Sequence, residues 1–128
     1  MNLTGIHHIA IICSNYEKSK HFYTNMLWFP VIREVYREER DSYKLDLQLP
    51  DGTQLELFSF PEAPARPSYP EAQGLRHLAF STTDILSVKK ELEGKGVMVE
   101  KVRIDEHTNR RFTFFSDPDG LPIELYEE

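Results

Sequence analysis

The chain repeats itself once, and that repeat narrows its possible folds more than any single residue does. Gly5-Ile6-His7-His8-Ile9-Ala10-Ile11 returns as Gly74-Leu75-Arg76-His77-Leu78-Ala79-Phe80, displaced by 69 positions, with glycine, histidine, alanine and the apolar positions kept. Asp51-Gly52-Thr53-Gln54-Leu55-Glu56-Leu57-Phe58 returns as Asp119-Gly120-Leu121-Pro122-Ile123-Glu124-Leu125-Tyr126, displaced by 68. A nearly constant offset at both ends means two copies of one supersecondary unit. A length of 128 residues suits one domain made of two small halves.

Between the copies, Phe60 to Glu71 carries four prolines, which remove backbone donors and fix φ, so neither a helix nor a strand ladder continues through it. The chain therefore reads as one domain, 1–128, with a first module at 1–60, a linker at 61–73 and a second module at 74–128. Each module reads as a strand, a helix and three strands, an α+β architecture. In the first, Gly5 to Cys13 is a strand, and Ser14 followed by Glu17 suggests a capping box. The helix that follows presents Ser19, Phe22, Tyr23 and Met26 on one face and stops before Pro30. Val31 to Arg37 is a strand. Tyr43, Leu45, Leu47 and Leu49 alternate with Lys44, Asp46 and Gln48 as in a one-sided strand, and Asp51-Gly52 turns the chain into a strand from Gln54 to Phe60. The second module repeats the order with strand Arg76 to Thr82, a helix capped near Asp84 that carries Ile85, Val88 and Leu92 and stops at Gly94 and Gly96, and strands Val97 to Ile104, Arg111 to Ser116 and Pro122 to Tyr126.

Composition removes several functional classes. A net charge of −6 and the lack of a basic stripe argue against a nucleic-acid partner. No apolar run approaches the length of a membrane span and the N-terminal residues lack the pattern of a secretory signal, so no membrane partner is expected and the location reads as cytoplasmic. The one cysteine, Cys13, excludes an internal disulfide and lies in an apolar run that would bury it.

Strand alternation then sorts the polar residues. In the first strand Ile9 and Ile11 share one face, and His8, Ala10 and Ile12 share the other. His77 opposes Leu78 and Phe80 in the same way. Glu56 opposes Leu55 and Leu57, and Glu124 opposes Ile123 and Leu125. If the aliphatic faces pack on the helices, the other faces curve into a cup where two imidazoles and two carboxylates converge. Such a set binds a divalent metal, and four protein ligands leave room for water or substrate in a six-coordinate shell, so the ion would be a Lewis acid rather than a structural staple.

A lone strand histidine is more often a satisfied core residue than a ligand. A glutamate between leucines is harder to dismiss, because a buried carboxylate costs several kcal/mol unless it is paired or metal-bound. Recurrence decides between the readings: both residue types return in both halves, 48 positions apart for His8 and Glu56 and 47 for His77 and Glu124. His7 points opposite to His8 while the strand stays regular, so it is assigned to packing or the surface. His21 and His107 have solvated readings.

The βαβββ repeat, with His in each first strand and Glu in each last strand, resembles the vicinal oxygen chelate superfamily, which includes glyoxalase I and the bleomycin-resistance proteins. Its carriers are His8-Ile9-Ala10-Ile11, His77-Leu78-Ala79-Phe80, Asp117-Pro118-Asp119-Gly120 and Ile123-Glu124-Leu125. Glu34-Val35-Tyr36-Arg37-Glu38, Glu56-Leu57-Phe58-Ser59-Phe60-Pro61 and Arg111-Phe112-Thr113-Phe114-Phe115 are similar to strings of its small bacterial glyoxalase I-like branch. One departure is Trp28, where the family usually has glycine, so the turn after the first helix is expected to differ.

The resemblance implies two βαβββ modules forming a cup-shaped mixed sheet, with one divalent metal held by His8, Glu56, His77 and Glu124. Zinc, nickel and cobalt suit the set first, manganese and ferrous iron next. It also implies lactoylglutathione lyase-like chemistry, in which the hemithioacetal of a 2-oxoaldehyde is isomerised to a thioester and Glu56 and Glu124 are the candidate proton carriers; the thiol cosubstrate is not legible. Rival readings are thiol transfer to an epoxide antibiotic, epimerisation of an acyl thioester, and non-enzymatic drug or metal binding. The partners implied are a small-molecule substrate and a second copy in a homodimer, with halves pairing within a chain or across two. Arg37, Arg40, Arg110 and Arg111 could meet a carboxylate or phosphate, and Phe58, Phe114 or Tyr126 could wall the site, although surface charge or core packing explains these residues equally well.

Overall fold

Each copy of the repeat forms its own four-stranded sheet, and the register of each sheet follows from one Asp-Gly turn. The computed structural model describes residues 1–128 and divides into two compact units, Met1–Ala65 and Arg66–Glu128. Both are α+β, and no helix is long and apolar enough to cross a membrane.

In the first unit, strands β1 (His8–Cys13), β2 (Val31–Arg37), β3 (Ser42–Gln48) and β4 (Gln54–Ser59) lie in the order β1-β4-β3-β2, with β1 parallel to β4 and the other pairs antiparallel. At the β3–β4 turn Gly52 takes φ +94 and the Asp51 side chain accepts the Thr53 N–H at 2.9 Å. That turn sets Leu45 opposite Leu57 and Leu47 opposite Leu55. All four are fully buried, each worth roughly 1.5–3 kcal/mol of apolar burial. Helix α1 (Tyr16–His21) runs into a π-helical turn, Phe22–Met26, and the two bury Ser19, Phe22 and Tyr23 as the periodicity requires. Asn15, rather than Ser14, caps the helix: its side chain accepts the Lys18 N–H at 3.1 Å.

The second unit repeats the plan with β5 (Leu78–Thr82), α2 (Ile85–Gly94), β6 (Arg103–Ile104), β7 (Arg111–Ser116) and β8 (Pro122–Glu127), in the order β5-β8-β7-β6. Asp84 caps α2 through the Ser87 N–H at 3.1 Å, and Ile85 and Leu92 are buried. Thr113, in the place of Leu45, is fully buried and donates to the Glu100 carbonyl at 2.7 Å.

Three further sequence expectations need correction. Val97 to Ile104 is a strand only at Arg103–Ile104. Before that pair, the Glu100 N–H bonds the Phe114 carbonyl at 2.9 Å without extending the ladder. The first strands begin at His8 and Leu78, later than their apolar patterns suggest. Strand β3 is not one-sided, because Asp46, on the face expected to be solvated, is 2% exposed.

Candidate metal centre

The parallel pairing of first and last strands builds the same diagonal contact in each unit. In β1–β4, Ala10 stands opposite Glu56, so His8, two residues earlier on the same face, reaches diagonally across to it. His8 Nε2 lies 3.7 Å from Glu56 Oε2. In β5–β8, Ala79 stands opposite Glu124, and His77, two residues earlier, places Nε2 at 3.1 Å from Glu124 Oε1. Side-chain exposures are 46% and 14% in the first pair and 25% and 14% in the second. Each carboxylate thus sits in a half-sheltered place beside a wetter imidazole.

These separations fit ligands of one ion. A nitrogen and an oxygen each about 2.1 Å from a shared divalent metal stand roughly 3.0–3.4 Å apart; the observed 3.1 Å falls inside that span and 3.7 Å slightly above it. Hard oxygen and borderline nitrogen donors without thiolate suit the metals expected from the sequence. Neither unit gathers three or more His, Cys, Asp or Glu side chains into a metal cluster, so each assembles two of the four expected ligands.

The surroundings of the two pairs differ. The imidazole of His8 meets that of His7, with Nδ1 to Nδ1 at 3.0 Å and the rings edge to face at 5.3 Å. His7 therefore touches its neighbour instead of pointing away, because it precedes β1 and strand alternation does not govern it. Across from Glu56 stands Asp46, and Lys44 Nζ lies 3.1 Å from Asp46 and 3.9 Å from Glu56. Arg33 closes the row with a donor 3.1 Å from Asp46. In the second unit Phe114 stands across from Glu124, and its ring meets His77 edge to face at 5.1 Å. Arg76 Nη1 lies 3.4 Å from His77 Nδ1, and Arg76 is itself held by Glu71 at 2.7 Å.

Sequence reasoning missed Arg33, Lys44 and Asp46 as neighbours of the site. The signal was countable: an antiparallel turn centred on Asp51 puts residue 46 opposite 56, as one centred on Asp119 puts 114 opposite 124. Of the candidate substrate contacts, Arg111 is committed elsewhere. It bonds Glu127 at 2.7 and 3.0 Å, and Glu127 also accepts the first N–H of α2, that of Ile85, at 2.8 Å. The guanidinium and that N–H together hold the Glu127 carboxyl below the usual glutamate range, Arg111 being the larger cause. Tyr126 bonds Asp105 at 3.0 Å and Thr108. Arg40 and Arg110 are exposed. His21 and His107 are exposed as well, apart from both pairs.

Residues 5–125 match the model of the Glyoxalase/Bleomycin resistance protein/Dioxygenase superfamily. The chain belongs to that superfamily. Among its relatives, the protein YwkD of Bacillus subtilis (strain 168) is 59% identical over 128 residues, covering the whole of both chains. The protein named Glyoxylase I 4 of Arabidopsis thaliana is 27% identical over 133 residues, covering 98% of this chain and 71% of its own. The crystal structure of the glyoxalase family protein from Enterococcus faecalis superposes with a TM-score of 0.92 at 50% identity, covering 99% of this chain and all of the other. Superfamily membership accounts for the two βαβββ modules of the fold.

Proposed function

We propose that the chain is a cytoplasmic, divalent-metal-dependent isomerase of the glyoxalase I type, a lactoylglutathione lyase-like enzyme. Its substrate would be the hemithioacetal of a 2-oxoaldehyde, and its ligand set His8, Glu56, His77 and Glu124. The observation that carries this reading is the identical His–Glu diagonal at matched register in both units. A structural role would need only one such pair, and a pair made for stability alone would not recur with both imidazoles left accessible. The 27% identity to a protein named Glyoxylase I 4 over nearly the whole chain supports the same class.

When bound, the metal supplies a Lewis acid that stabilises negative charge developing on two neighbouring substrate oxygens. His8 and His77 would contribute the nitrogen donors, and His7, whose Nδ1 can accept from the Nδ1–H of His8, would orient the first of them. A carboxylate, Glu56 or Glu124, takes the proton from the carbon that bears sulfur and hydroxyl and returns it to the adjacent carbonyl carbon. The hydroxyl-bearing carbon becomes the thioester carbonyl and the former ketone becomes the alcohol, so the reaction is an isomerisation with no external oxidant. Phe114, edge to face with His77 and across from Glu124, would give the second pair an apolar wall.

Elemental analysis of protein purified without chelator, followed by a hemithioacetal isomerase assay across added zinc, nickel, cobalt and manganese, tests this directly. Metal-dependent turnover supports the enzyme. Stoichiometric metal or drug binding with no turnover on any hemithioacetal replaces it with the binding-protein reading. In a homodimer, mixing His8→Ala with Glu124→Ala chains restores one intact site per heterodimer if the pairs combine across chains, and none if they combine within one.

A further inference from the structure

We propose that Arg37, seated on Phe58 and Phe60, is the recognition site for an acidic group of the substrate, a carboxylate or a phosphate. This rests on the reading of His8 and Glu56 as half of the reacting centre and adds to it the class of the substrate's distal end. Arg33, Arg76, Arg103 and Arg111 each have a carboxylate within 3.3 Å. Arg37 is half-buried, yet its one polar partner is the Ser42 hydroxyl, at 2.8 Å from Nη2, and its buried Nε meets no acceptor. A guanidinium withdrawn from water without an anion is costly, and an N–H donor left unmade adds to that cost.

Two rings hold the cation in place. Its central carbon lies 4.9 Å from the Phe58 centroid and 5.4 Å from that of Phe60, and the two rings are stacked at 5.9 Å with 10° between their planes. Cation–π attraction of this kind fixes position without neutralising charge. Lys44 adds a second cation 6.0 Å from Phe58. An arginine fork offers paired donors to a planar carboxylate or to phosphate, so a guanidinium with no carboxylate of its own points to that chemistry rather than to a neutral amide or sugar.

Register then locates the subsite. Phe58 follows Glu56 by two residues on the same face of β4 and stands beside Ile12 of β1, so the first ring beneath the cation is rooted about 7 Å along the strand from Glu56. Exposed Ile12 and Val35 provide an apolar path between the two. In the second unit the place of Lys44 is taken by Phe112, and Tyr126, in the place of Phe58, is bound to Asp105. The anion subsite is thus a property of the first half alone.

The test uses the full-length chain with 15N-labelled arginine and follows the Arg37 Nε–H resonance, assigned from its absence in Arg37→Lys. The titrants are 3-(methylthio)propanoate, its uncharged amide and inorganic phosphate. The proposal expects a saturable shift with propanoate or phosphate and none with the amide and, by isothermal titration calorimetry of the same acids, at least tenfold weaker binding in Arg37→Lys and no binding in Arg37→Ala. A stronger response to propanoate assigns a carboxylate tail, and a stronger response to phosphate a phosphorylated one. No saturable shift from either acid in the folded wild type overturns the proposal, and so does undiminished acid binding in Arg37→Ala. If the wild type binds neither acid and Arg37→Ala converts a dimer to a monomer by sedimentation, Arg37 serves an interface and the proposal falls. Acid binding by the wild type with no isomerase turnover at any added metal removes the enzymatic reading and leaves the subsite standing.

Discussion

The two halves carry one frame and two environments. His8–Glu56 and His77–Glu124 occupy the same diagonal of the same strand pairing, yet a buried Asp46 with Lys44 and Arg33 faces the first carboxylate while Phe114 faces the second. Duplication accounts for the frame, because the strand order that buries the leucine faces also delivers the two His–Glu pairs. It does not account for the rows beside them. Their divergence teaches that the halves share a His–Glu frame and differ in what faces it: a charged row in the first and an aromatic ring in the second.

Removing either carboxylate tests the shared frame, and it carries the largest expected effect. Glu56→Gln and Glu124→Gln should each lower isomerase turnover by about 10²–10⁴-fold, with circular dichroism unchanged. A residual rate that differs between the two variants at saturating metal would identify the proton carrier.

The divergent row predicts a smaller, one-sided effect. Asp46→Ala leaves Lys44 free to pair with Glu56, and metal affinity should fall about 10–100-fold. Its stability cost should be about 1–3 kcal/mol, below the full penalty for breaking a buried pair because Arg33 is 63% exposed. Phe114→Ala should cost about 2–3 kcal/mol by loss of apolar packing, while acid binding at Arg37 stays unchanged. Urea unfolding and metal titration of the two variants separate these outcomes.

Next comes the group that orients the first imidazole. His7→Ala should weaken metal binding by about tenfold, since Nδ1 of His8 has its neighbour at 3.0 Å, whereas Arg76→Ala should not weaken it, because a guanidinium cannot accept the Nδ1–H of a metal-bound His77. Equal losses in the two variants, measured by metal titration, would show that His7 does not orient the ring.

The smallest effect lies in the turns after the helices. Trp28 takes φ +63 where the second half has Gly96 at φ +86, and a bulky residue in that region is disfavoured by roughly 1–2 kcal/mol. Trp28→Gly should raise stability by about 1 kcal/mol and Gly96→Ala should lower it by a similar amount, both measured by thermal unfolding.

Much of this architecture is legible in the order of the residues. The repeat yields the module order, and period-two alternation places Glu56 and Glu124 opposite their leucines correctly. Where alternation and periodicity fail, a local pattern meets a tertiary constraint. Asp46 alternates with leucines as a solvent-facing residue would, but Arg33 and Lys44 from neighbouring positions cover it. The π-helical turn at Phe22–Met26 adds a residue that helical periodicity does not reveal, and it is followed by the left-handed Trp28. His7 escapes the alternation rule because the ladder begins one residue later. The role of Arg37 depends on which cations find carboxylates, which only the folded register decides.

The proposed function stands or falls on whether the two His–Glu pairs serve one metal. Metal titration with elemental analysis on the wild type and on His8→Ala, Glu56→Gln, His77→Ala and Glu124→Gln decides this. One divalent ion per chain is expected in the wild type, with a loss of affinity of at least tenfold in every one of the four variants. Retention of wild-type affinity by a folded variant from either half would contradict it, since a single ion held by both pairs cannot be indifferent to losing a ligand from one.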